Sequence, residues 1–205
     1  MQWEERLDNY RRVMMSEPYM ANTDVPQGDL DPDLTIQGRW VFGMWLLGQN
    51  WKVPSGYYGG YPGNYLKRIA ALFLDKQHVL HLFAGKADLS QLPGDTVDIR
   101  AELTPTFCSN AETLDGVPLE TYDLIVADPP YSVEDAEHYG TPMVRRDKVM
   151  RSLERLKAGC HVVWLDQVLP RYRAKYFARE AVIGMSRSTG HRFRVVNIFR
   201  RLEAV

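Results

Sequence analysis

The segment YDLIVADPPYS, residues 122–132, gathers residue types that can do chemistry. An apolar run ends at Ala127 and passes straight into Asp128, Pro129, Pro130 and Tyr131. In an open α/β sheet, ligands bind just beyond the C-terminal strand ends. Each proline fixes φ and lacks a backbone N–H. The edge therefore offers acceptors, namely the Asp128 carboxylate and local carbonyls, with the aromatic face of Tyr131 beside them. It suits a planar base with an exocyclic NH2, which would donate to Asp128 Oδ and to the Pro129 carbonyl. A nitrogen held in that way is less conjugated with its ring, and its lone pair can attack a methyl sulfonium. Tyr131 would stack on the base, a contact worth roughly 1–3 kcal/mol. The same tetrapeptide also reads as a plain Pro-Pro turn with an N-capping Asp.

The surrounding pattern supplies elements to position such an edge. Short apolar runs recur between loops: HVLHLF (78–83), TVDI (96–99), TFCS (106–109), YDLIVA (122–127) and CHVVWL (160–165). Parallel strands covered on both faces read this way. Residues 143–158 have helical apolar spacing at Val144, Val149, Leu153 and Leu156, with Gly159 as a C-cap. AVIGMS (181–186) and RFRVVNIFRR (192–201) predict a hairpin with Gly190 in its connection. Residues 85–96 leave little room for a crossover helix, so that connection is expected to be short or irregular.

Upstream, residues 3–15 predict a short helix and residues 16–36 a loop or covering arm. GRWVFGMWLLGQNW (38–51) predicts a buried helix. A Gly/Tyr-rich turn at 56–64 precedes a helix over 64–75 with Asn64 as N-cap. The expected fold class is α/β: a Rossmann-like, mostly parallel sheet with an antiparallel C-terminal hairpin and an N-terminal helical or loop extension. Residues 1–55 form the extension and 56–205 the main domain.

Composition fits one core, at 205 residues, 45% hydrophobic and 25% charged. No apolar run approaches the roughly 18–20 residues of a membrane span. The N-terminus does not read as a signal peptide. Cys108 and Cys160 show neither a disulfide framework nor metal-ligand spacing, so no metal is expected and a reducing cytoplasm fits. Residues 1–143 hold 10 Lys/Arg against 21 Asp/Glu, and residues 144–205 hold 15 against 5. A basic C-terminal third can meet a polyanion; it can equally be solvated faces balanced by acids elsewhere in the fold.

HLFAG (81–85), Asp98, FCSNA (107–111) and LIVADPPYS (124–132) occur in the order found in class I S-adenosylmethionine (SAM)-dependent methyltransferases. Over residues 56–201 the chain resembles most the amino-methyltransferases that act on adenine or cytosine in nucleic acids. The resemblance implies SAM as cofactor. Phe83, Ala84 and Gly85 would turn beside its methionine part, Asp98 would accept the ribose hydroxyls, and Asn110 and Ala111 would meet its adenine. Asp128 would lie between cofactor and amine. GYYGGYPGNYLKR (56–68) is similar to a segment lining the SAM pocket in some DNA adenine methyltransferases. The family's loop has Gly-x-Gly; here Lys86-Ala87 follows Gly85, which remodels the methionine pocket and offers Lys86 to the SAM carboxylate.

The implied reaction is methylation of N6 of adenine in DNA, on a base flipped out of a duplex. An RNA base is the nearest alternative, and a SAM-binding module without catalysis is the alternative of another class. Methylation of a protein glutamine fits less well, because that group carries Asn-Pro-Pro-Tyr. Neither cysteine follows a proline, which disfavours carbon methylation. Arg187, Arg192 and Arg194 could touch phosphates or lie on a plain exposed hairpin. Arg145, Arg146, Arg171 and Arg173 are weaker choices for the same role. Tyr57, Tyr58, Tyr61 and Tyr65 could stack on bases or pack on the next helix. Trp40, Trp45 and Trp51 read as core. The polar segment 132–142 reads as a lid or a connector, and His138 within it lacks metal-ligand spacing.

Overall fold

The computed structural model describes residues 1–15, 34–47, 60–138, 140–187 and 193–203. A nine-stranded sheet forms its centre. The strands are β1 (Leu34–Gln37), β2 (Trp40–Leu47), β3 (Val79–Leu82), β4 (Asp95–Asp98), β5 (Phe107–Cys108), β6 (Leu124–Ala127), β7 (His161–Asp166), β8 (Phe177–Arg187) and β9 (Arg194–Arg201). Their spatial order is β1-β2-β8-β9-β7-β6-β3-β4-β5. Pairings from β7 through β6, β3 and β4 to β5 are parallel, as is β2 with β8. β9 runs antiparallel to both β7 and β8, and β1 antiparallel to β2. The expected α/β class, with its antiparallel C-terminal pair, is what the sheet has. The chain runs outward from β3 to β5, then returns across β3 to β6. The strand order thus reverses between β3 and β6, the topological switch point where α/β sheets bind ligands.

The strands carry core residues on both faces. On β6, Leu124 and Val126 join one cluster with Leu7, Tyr10, Trp45, Tyr65, Ile69 and Leu72. Ile125 and Ala127 join the other with Trp164, Phe199, Val149 and Leu153. This two-sided burial is why β6 and β7 read as unbroken apolar runs.

The helices are α1 (Trp3–Met15), α2 (Tyr65–Leu72), α3 (Val133–His138) and α4 (Arg146–Ser152). Helix α1 is fastened by Arg6, 2% exposed, which donates to Leu72 O at 3.1 Å and forks onto Asp75. Trp3 Nε1 donates to Glu180 at 3.0 Å. Burial alone would raise the Glu180 carboxyl, but hydrogen bonds from His161, Arg200 and Trp3 outweigh it and hold it down at about 2. No helix among the described residues is long and apolar enough to cross a membrane.

Several local expectations are corrected. Residues 40–47 form a strand inside the sheet, not a buried helix, and the expected arm ends in strand β1 from Leu34 onward. Only Trp45 of the tryptophans there is fully enclosed; Trp40 is half-buried under the Arg179 guanidinium. Asn64 stands at the N-cap of α2 in a left-handed conformation, φ 61, without a side-chain cap bond. The helix predicted over 143–158 is one α-helical stretch, Arg146–Ser152, tightened into a 3-10 turn over Leu153–Arg155. Segment 132–142 is partly helical: the Ser132 hydroxyl accepts from Asp135 N at 3.1 Å and caps α3. Trp51, Tyr57, Tyr58 and Gly190 lie outside the described residues.

The connection from β3 to β4 holds no helix, as its length predicts. It is lashed to β3 instead. At Gly94 a Cβ would stand 2.5 Å from Val79 O, so only glycine permits the approach. His81 Nε2 donates to Leu92 O at 3.0 Å.

Candidate active site

Asp128 follows the last residue of β6, and the register pairs Ala127 with Leu82 of β3. Asp128 and Phe83 are therefore the first residues past adjacent strand ends at the switch point. Tyr131 donates its hydroxyl to Asp128 Oδ1. Arg194 Nη1 donates to the same hydroxyl oxygen at 2.7 Å, and its guanidinium carbon lies 4.9 Å from the Tyr131 ring centroid. Burial pushes the Asp128 carboxyl up to about 6; the Arg194 charge and the Tyr131 hydrogen bond oppose that rise, and Asp166 and Asp135 add to it.

Behind the Pro-Pro turn stands a second brace. Arg146, at the start of α4, points Nη2 at Tyr131 O (3.2 Å) and Pro130 O (3.4 Å). It also forks onto Asp166, through Nε at 2.6 Å and Nη2 at 3.1 Å. Asp166 ends β7, is 0% exposed, and accepts further from Trp164 Nε1 at 3.1 Å and Gln167 N at 2.7 Å. The turn's carbonyls are thus pinned to a buried ion pair, which fixes the backbone on which Asp128 and Pro129 stand. Arg146 was a weak phosphate candidate and Asp166 was not singled out. A signal existed: HVVWLD ends an apolar strand in a carboxylate, as LIVAD does.

A wall of buried aromatic hydroxyls stands near Asp128. The Tyr61 and Tyr65 rings stack with centroids 5.5 Å apart, and both side chains are buried. Burial first, then the Asp128 charge, pushes both phenols well above their ordinary range. His81 Nδ1 lies 3.2 Å from Tyr61 Oη. Leu92 O can only accept, so Nε2 carries the imidazole proton and Nδ1 accepts from Tyr61. Burial lowers the His81 pKa to about 4, which keeps the ring neutral. Tyr61 packs on Tyr65 and on His81 of β3, and Tyr65 on Trp45 of β2.

On the other flank of β3, Phe83 and Gly85 both adopt positive φ, 62° and 57°, and turn the chain sharply. Gly85 N donates to Asp98 Oδ2 at 3.1 Å, and Arg100 N to Asp98 Oδ1 at 3.0 Å. Asp98 thereby ties the turn after β3 to the end of β4. Arg100 Nε also lies 3.9 Å from Asp98 Oδ1. Ala84 is buried and Lys86 exposed. Asn110 Oδ1 accepts from Glu112 N at 2.8 Å, closing the turn after it, while Ala111 packs in the second core cluster. Asn110 and Ala111 thus shape the backbone after β5.

The basic residues are distributed differently from the expectation of an exposed hairpin. Arg194 is 7% exposed and faces Tyr131. Arg187 ends β8, and Arg192 lies outside the described residues. Arg173 pairs with Glu154, Arg145 lies 3.6 Å from Asp147, and Arg200 pairs with Glu180. Much of the C-terminal positive charge therefore meets carboxylates of the chain itself.

No family model matches the sequence, and no curated protein matches it. Among solved structures, an rRNA methylase from Streptococcus thermophilus aligns with a TM-score of 0.40 and 10% identity, over 63% of this chain and 89% of that one. A likeness of that size assigns neither ligand nor reaction.

Proposed function

We propose that the chain transfers a methyl group from SAM to an exocyclic amino nitrogen of a nucleic-acid base, with N6 of adenine in DNA as the first choice. The observation that carries this reading is the acceptor edge at the switch point: Asp128 and the Pro129 carbonyl on a turn pinned by Arg146 and Asp166. Tyr131, its hydroxyl held in turn by Arg194, already engages Oδ1, which leaves Oδ2 and the Pro129 carbonyl for the two N–H groups of an amine. An edge of acceptors selects an NH2 group and disfavours a ring carbonyl, which would meet like charge.

The residues fit SAM. Asp98 has acceptor capacity left beyond its two backbone donors, and the Phe83–Gly85 turn bends away from the strand ends. Asp98 would hold the ribose, Phe83 to Gly85 and Lys86 the methionine part, and the backbone at Asn110 and Ala111 the adenine. SAM would supply an electrophilic methyl on a sulfonium. The chain's own contribution is position and polarity. Asp128 and Pro129 orient the nitrogen lone pair. Once alkylated, that nitrogen must release a proton, and a carboxylate with a pKa near 6 is matched to receive it near neutral pH. Arg194 covers one face of Tyr131, so a base can stack only on the opposite face.

The test begins with calorimetry against SAM, followed by incubation with labelled SAM and single- and double-stranded DNA and RNA. The reading expects binding, and label on an adenine amino nitrogen in DNA. Label confined to RNA would move the substrate class. Binding without transfer to any nucleic acid would favour a non-catalytic module, and no binding would remove the reading.

A further inference from the structure

Arg194 is an unusual buried cation. It is 7% exposed, its Nε has no hydrogen-bond partner among the described residues, and no carboxylate there lies within ion-pairing distance of it. A buried guanidinium without a direct counter-ion is costly. The chain nonetheless places it over the Tyr131 ring, 2.7 Å from the hydroxyl that donates to Asp128. Its charge is answered at one remove.

We propose that Arg194 is a positioning residue for Asp128: acting through Tyr131, it holds the carboxylate ionised and fixes Oδ1, so that Oδ2 remains for the substrate amine. The catalytic consequence rests on the function proposed above; the ionisation does not. The groups acting on Asp128 come from every neighbouring element. Arg194 on β9 and the Tyr131 hydroxyl favour the charge, and Asp166 at the end of β7 and Asp135 on α3 oppose it. Tyr61 and Tyr65 lie within electrostatic reach of it as neutral phenols. Arg146 compensates Asp166 and not Asp128. Among the described residues Arg194 is therefore the cation that counters burial at this carboxylate, and its removal leaves the Tyr131 hydrogen bond alone against desolvation.

The test is a 13C titration of the Asp128 carboxyl by NMR, run beside the pH dependence of methyl transfer, in the full chain. Arg194→Met is expected to move the Asp128 midpoint at least one pH unit upward and to carry the acid limb of activity with it. Arg194→Lys, which keeps the charge, is expected to stay within about half a unit of the parent. If Arg194→Met does not fold, Arg194→Gln serves for the same readout. A midpoint unmoved by loss of the charge would overturn the proposal. So would an Arg194→Lys variant as displaced as Arg194→Met, or a flattened salt dependence of nucleic-acid binding with the midpoint unmoved, which would make Arg194 a phosphate anchor. If the parent chain transfers no methyl group, the function fails alone, because the carboxyl titration still decides the role of Arg194.

Discussion

Asp98 and Asp128 end strands on either side of β3, yet they are held in opposite ways. Asp98 accepts from two backbone N–H groups, Gly85 and Arg100, and serves the local chain as a clasp. Asp128 accepts from a tyrosine hydroxyl backed by a guanidinium, and its turn is pinned by a buried ion pair. Asp98 draws its two backbone donors from the chain just past two neighbouring strands, β3 and β4. Asp128 takes its hydrogen bond from a tyrosine in its own turn, but the guanidinium behind that donor comes from β9 and the brace of the turn from α4 and β7. The difference separates a carboxylate held by backbone donors from one whose surroundings depend on side chains distant in sequence.

The contrast can be broken most forcefully at Arg146. Arg146→Met would leave Asp166, 0% exposed, without its cation. Removing one partner of a buried pair costs about 3 kcal/mol. Denaturant unfolding should show that loss, and methyl transfer should fall as the turn loosens. Unchanged stability would mean that the turn stands without the brace.

Asp98→Asn tests the clasp. The amide is a weaker acceptor for two backbone donors, a loss of about 1.5 kcal/mol if a charge-assisted bond becomes a neutral one. Roughly tenfold weaker SAM binding is expected by calorimetry, with the pH dependence of transfer unmoved. A shifted acid limb in this variant would join the two carboxylates into one titrating unit and erase the contrast.

The smallest expected effect is a gain. Burial raises the folded-state pKa of Asp128 from 3.8 to about 6. A carboxyl raised on folding contributes stability below its unfolded pKa and loses that contribution as pH rises through the folded value. Ionised Asp128 therefore costs stability above pH 6. Asp128→Asn should be more stable than the parent at pH 7.5, with the advantage gone below about pH 4. A variant less stable at pH 7.5 would show that the Arg194 and Tyr131 contacts outweigh burial.

The sequence made the acceptor edge legible because β6 is covered on both faces and appears as LIVA running into Asp128. The helix-free link after β3 was legible from its length alone. Strand β2 was not. Its inward residues Val41, Trp45 and Leu47 alternate with Phe42, Met44 and Leu46, which are apolar and exposed, so the two-residue period of a strand is hidden in an apolar block. Arg194 and Arg146 carry no local mark of burial. Each is one arginine in a basic stretch, and only the packing of β9 and α4 against β7 decides which of them turn inward. Asp166 was readable by analogy with Asp128, as a carboxylate closing an apolar strand, but its partner Arg146 lies 20 residues away in sequence.

The most direct trial of the acceptor edge locates the methyl group itself. The parent chain and Asp128→Ala are each incubated with deuterium-labelled SAM and DNA, and the digested nucleosides are read by mass spectrometry. The account predicts label on an exocyclic amino nitrogen with the parent, and a loss of about a hundredfold to a thousandfold in the variant, the scale seen when one polar group of a preorganised site is removed. Label on ring carbon or ribose oxygen, or transfer by Asp128→Ala at the parent's rate, would contradict it.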